Sequence, residues 1–107
     1  MNHEPPRRIR DLHWRPDRIE HIARHSILPE EVDEAVLDDP GGLLLRVGPA
    51  ERNPEETLYR YFGRTEAGRH LFVVLLHLGE GLAIPLTARD MSSSERRRFD
   101  GRGPQRR

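Results

Sequence analysis

Leu71–Leu76 reads LFVVLL, an unbroken run of six apolar residues in a chain that is only 35% hydrophobic. A run so short, rich in β-branched and aromatic side chains, predicts a strand covered on both faces rather than a helix. It sits between two glycine-bearing breaks, Gly63–Gly68 (GRTEAG) and Gly79–Gly81 (GEG), and glycine supplies the positive φ that hairpin turns need. Together these features predict three consecutive antiparallel strands across Thr57–Arg89. The third of them, Leu82–Ala88, alternates. Leu82, Ile84, Leu86 and Ala88 are expected on one face, with Ala83, Pro85, Thr87 and Arg89 on the other. Pro85 cannot donate to a ladder, so this strand must lie at an edge or turn that position away from its neighbour.

The remaining chain has to cover this sheet. At 107 residues it suffices for one domain with a single modest core. Charged residues make up 34% and there is no cysteine, which removes disulfides, a thiolate nucleophile and Cys-based zinc sites from consideration. The sequence has no apolar run of membrane-spanning length, and MNHEPPRRIR at its start is unlike a signal peptide. A cytoplasmic protein without membrane association is expected. The formal charge is zero, but residues 17–66 carry twelve acids against six bases, and residues 67–107 four against eight. The C-terminal third is therefore the electropositive end. All eighteen basic residues are Arg.

In chain order, residues 1–10 form a polar lead-in, and Ile9, Leu12 and Trp14 are candidates for a short edge strand or simple packing. A first helix is predicted at about Pro16–His25, with Pro16 in its first turn and Asp17 at the positive end of its dipole. A second is predicted from Pro29 to Leu37 and is stopped by Asp38–Gly42 (DDPGG). Gly42–Val47 reads as a first strand and Gly48–Glu56 as a loop. After Arg89, Ser92 and Glu95 have capping-box spacing for a short basic helix, and residues 100–107 are a frayed tail. The expected fold is α+β: two N-terminal helices, a four-stranded antiparallel sheet and a short C-terminal helix.

Several side chains carry potential chemistry. His21 and His25 are four apart on the first helix, the spacing of two metal ligands. No third ligand stands in register, since His13 precedes the helix, so no metal is expected. Imidazole titrates nearest neutrality, and His21 is better suited to general acid or base work. Glu20 and Arg24 form a favourable helix pair. Arg64 sits at the mouth of the GRTEAG loop. Arg89 ends its strand just before the basic helix, and Glu95 can serve as cap or as base. Neither glycine segment has Walker or dinucleotide spacing, so no cofactor is expected. Antiparallel register places Arg64 and Arg89 at the same sheet end, where two guanidiniums could address one phosphate.

Trp14, the segment EHIARHSILPEEVDEAVLDDP, then YFGRTEAGRHLFVVLL, then PLTARDMSSSERRRF resemble, in order and spacing, the BrnT-like toxins of bacterial type II toxin–antitoxin systems. The resemblance spans about Leu12–Phe99. It implies a RelE-like fold and a metal-independent endoribonuclease that stops translation, with RNA as substrate and a cognate antitoxin as partner. The family's histidine at the end of the first helix matches His25, its arginine after the turn matches Arg64, and its strand-end segment matches Thr87-Ala88-Arg89. Its last helix matches Glu95, Arg96 and Phe99. The catalytic set so implied is His21, His25, Arg64, Arg89 and Glu95, with Arg24, Arg69, Arg96 and Arg97 gripping RNA. A non-catalytic binding module of the same fold is the alternative.

Overall fold

The computed structural model describes residues 9–102; residues 1–8 and 103–107 lie outside them. Of the loose ends expected at residues 1–10 and 100–107, those within the described range are held: Ile9 is buried, the Arg10 amide donates to the Gly81 carbonyl, Asp100 ends a helix and Arg102 Nη2 donates to the Gly41 carbonyl. The fold is α+β. Five strands, β1 (Asp11–Leu12), β2 (Leu43–Pro49), β3 (Thr57–Arg64), β4 (His70–Gly79) and β5 (Leu82–Asp90), form one sheet in the order β1-β5-β4-β3-β2. The expected four-stranded antiparallel sheet thus gains a fifth member. β1 pairs with β5 in parallel, over Asp11↔Leu82 and Leu12↔Ala83. Two residues carry no periodicity, but β1 falls within the Ile9–Trp14 segment offered as a short edge strand. It forms because the backbone at Arg10 and Asp11 donates to the Gly81 carbonyl while Ile9 and Leu12 are buried.

β4 is the central strand, but its two faces are unequal. Leu71, Val73 and Leu75 are fully buried, whereas Phe72, Val74 and Leu76 are only half-buried. The expected cover on both faces is therefore corrected: the helices layer one face and the other stays largely open. β3 alternates in the same sense, with Tyr59 and Tyr61 inside and Arg60 and Arg64 exposed. The turn from β4 to β5 uses positive φ at Glu80 (55°) and Gly81 (80°), as a two-residue hairpin loop with right-handed strand twist requires. His77 Nε2 accepts the Gly81 N–H at 3.0 Å and pins that turn.

β5 departs from simple alternation. Val74 pairs with Thr87 and Leu75 with Pro85, leaving Leu86 as an extra residue. This bulge swaps the faces beyond it, so Ala83, Pro85 and Ala88 all point into the core. Pro85 falls past the reach of β1, where no ladder bond is demanded of its nitrogen.

Helix α1 (Pro16–Ala23) buries Ile22 and ends before Ser26, whose φ is 59°. Helix α2 (Pro29–Asp33) continues as a π-helical turn over Glu34–Asp38, where an uninterrupted α-helix to Leu37 is expected from sequence. The wider turn tucks Ala35 and Val36 into the core and brings the Ala35 carbonyl against Gly63. Helix α3 (Ser93–Asp100) closes one end of the open sheet face, its buried Phe99 ring packed edge-on against His70 at 5.8 Å. Among the described residues, no helix is long and apolar enough to cross a membrane.

Candidate functional site

The C-terminal end of β5 gathers most of the residues singled out from sequence. β1 covers only the start of β5, and α1 takes over the exposed edge beyond it. Arg18 Nη1 donates to the Leu86 carbonyl at 3.1 Å, and His21 Nε2 lies 3.1 Å from Thr87 Oγ1. One helical turn later, the His25 ring stands edge-on to His21, with 6.1 Å between centroids. His21 is half-buried and His25 exposed. His25 also lies near enough to Asp90 to help lower its pKa, although the hydrogen bond from Arg69 is the larger cause.

Arg89 leaves β5 on the open face, opposite Ala88. Its guanidinium lies 4.2 Å from the centroid of Phe72. Nη1 and Nη2 donate to the two carboxylate oxygens of Glu95 at 2.8 and 3.0 Å. Glu95 also accepts the Ser92 amide at 2.8 Å, while its own amide donates to Ser92 Oγ at 3.1 Å, completing the expected capping box. The Arg89 hydrogen bond, helped by the Ser92 contacts, pulls the Glu95 carboxyl down to about 2. A carboxylate so acidic is a poor proton acceptor at neutral pH. Glu95 is placed as the group that holds Arg89 and caps α3.

Arg69 is committed inside the fold. Its Nε and Nη2 grip Asp90 at 2.7 and 3.1 Å, and its Nη1 donates to the Ser26 carbonyl at 2.9 Å and to Glu31 at 3.2 Å. The side chain, expected to grip RNA, ties the start of β4, the end of β5 and the α1–α2 turn together. Arg64 shares the sheet end with Arg89, as antiparallel register requires. It has separate acidic neighbours, however. Its amide donates to Asp39 Oδ2 at 2.8 Å, and the residue borders a cleft of about 350 Å³ with Glu34, Asp38, Asp39 and Glu66. Arg24, Arg96 and Arg97 are all exposed.

Two features of this end escape a sequence reading. His70, at the start of β4, is buried with Nε2 2.8 Å from Asp100 Oδ1, and its Nδ1 has no partner among the described residues; the pairing holds the Asp100 carboxyl below its ordinary range. Thr87 enters the sequence reading only within the matched Thr87-Ala88-Arg89 segment, and its pairing with His21 has no signal there. Among the described residues, no group of three or more His, Asp or Glu side chains is arranged to hold a metal ion. The chain matches no protein-family model and no curated protein.

Proposed function

We propose that the chain is the toxin of a type II toxin–antitoxin pair, a cytoplasmic, metal-independent endoribonuclease of RelE-like type whose activity a cognate antitoxin blocks. The observation that carries this is the His21–His25 pair, two imidazoles 6.1 Å apart beside the Thr87–Arg89 strand end. Cleavage through the 2′-hydroxyl needs one group to remove its proton as oxygen attacks phosphorus and another to protonate the departing 5′ oxygen. His21 and His25 supply that pair. Arg89, held by Glu95, offers a fixed cation to the non-bridging oxygens as charge develops, and Arg24, Arg96 and Arg97 flank it for the RNA backbone. The decisive test is induction in a bacterial host with and without the adjacent gene, scoring growth and mRNA integrity, alongside cleavage of a labelled RNA by purified protein. His21→Ala and His25→Ala should each lower cleavage by roughly 10²–10⁴ while leaving the melting temperature nearly unchanged. Full cleavage by both variants would overturn the assignment.

A second reading, a non-catalytic binding module of the same fold, is favoured by the closed Arg89–Glu95 pair and the internal commitment of Arg69. Growth without arrest and intact mRNA on wild-type expression would select it.

A further inference from the structure

The open sheet face is apolar where a solvent-facing layer would ordinarily be polar. Phe62 and Phe72 lie directly opposite each other on β3 and β4, their rings 5.2 Å apart and tilted by 52°. Arg89 stacks over Phe72 at 4.2 Å and still keeps 42% of its side chain exposed. Of the charged side chains that the strand register places on this face, Arg60, Arg64 and Arg89 on β3 and β5 are basic, and the acid Asp11 stands apart on the outer strand β1. Flat rings presented by adjacent central strands and flanked by guanidiniums are the components of a stacking platform for unpaired bases, with arginines following the phosphates. A protein partner is less well matched, because the acids beside the Phe72–Arg89 stack are already engaged, Glu95 with Arg89 and Asp100 with His70.

We infer that the open face of β3, β4 and β5 binds single-stranded nucleic acid, stacking bases on Phe62 and on the Phe72–Arg89 pair, with Arg60 and Arg64 on the backbone. The inference deepens the proposed endoribonuclease by giving it a subsite. Thr87, the partner of His21, is two residues from Arg89 on β5, so a strand crossing Phe62, Phe72 and Arg89 is led towards the histidine pair. A duplex, whose bases are already stacked and paired, cannot present them to the rings and should bind more weakly.

The test is fluorescence anisotropy with a 5′-labelled ten-nucleotide single-stranded RNA, the same sequence as DNA, and the RNA duplex, using full-length His21→Ala to prevent turnover. Phe62→Ala should weaken single-strand binding about tenfold or more, and Phe62→Trp should restore it because any π-face suffices. Arg60→Ala should instead flatten the dependence on salt. A 2-aminopurine base in the RNA should be quenched on binding to His21→Ala but not when Phe62→Ala is added. Equal affinity of Phe62→Ala and its parent, duplex preference, or absence of binding would overturn the platform. So would concentration-dependent dimerisation abolished by Phe62→Ala, which would make the face an interface between copies. Binding without cleavage by the wild type would retain the platform and remove the ribonuclease assignment.

Discussion

Glu95 accepts from Arg89 and from the Ser92 amide, and both bonds favour its charged form. Its pKa falls from an ordinary 4.5 to about 2. Because the folded value is the lower one, the stabilisation is fully present above about pH 4.5 and is lost as pH falls towards 2. Asp90 and Asp100 are shifted in the same direction. Urea titrations across that window should therefore show stability falling with acid in the wild type and falling less steeply in Glu95→Gln. Equal slopes would mean that the Arg89 contact does not persist in solution. Arg69 offers a second residue-scale test. Arg69→Met keeps much of the stem but leaves Asp90, Glu31 and the Ser26 carbonyl without their donor, so it should cost roughly 1–3 kcal/mol in denaturant unfolding.

Helix α3 depends on its first turn. Ser92 Oγ accepts the Glu95 amide at 3.1 Å, and Ser92→Ala should lower stability by roughly 0.5–2 kcal/mol. An unchanged melting temperature would show that the cap contributes nothing. The π-helical turn is equally specific in what it tolerates. A Cβ on Gly63 would run into the Ala35 carbonyl and approach the Tyr61 ring to 2.8 Å, with backbone on one side and a buried ring on the other. Gly63→Ala should destabilise by roughly 1–3 kcal/mol through this overpacking, readable as a shifted urea midpoint with an unchanged slope. The same crowding surrounds Tyr61, whose hydroxyl is pushed up to about 12 by burial and by the nearby Asp39.

Across the whole molecule, stability concentrates where β4 is paired on both sides and covered by helices. The amides of Leu71, Val73 and Leu75 should exchange most slowly, and those of outer strands β1 and β2, where Val47 is 53% exposed, much faster. Fast exchange throughout Leu71–Leu76 would remove β4 from the centre of the fold. The functional contrast falls along the same line. One sheet face is a helix-covered core, and the other carries rings and arginines that, among the described residues, no layer covers beyond the reach of α3.

Local chemistry was enough to place the elements that depend on it. The apolar run of β4, the glycine turns, the DDPGG stop and the Ser92–Glu95 box each act within a few residues, and each stands where the sequence puts it. So does the shared sheet end of Arg64 and Arg89, because antiparallel register follows from consecutive hairpins. Other properties depend on contacts between distant segments, which no local pattern encodes. Two-residue β1 exists only because β5 offers an edge, and the Leu86 bulge decides which side chains of β5 enter the core. Most consequentially, tertiary packing sorted the arginines. In sequence, Arg69, Arg89 and Arg96 differ only in place along the chain, and all three are read as cations for a phosphate backbone. In the fold, Arg69 becomes a clamp, Arg89 a fixed plane between Phe72 and Glu95, and Arg96 an exposed surface charge, since a guanidinium's role is set by which acceptors and rings the chain brings within about 3–4 Å of it.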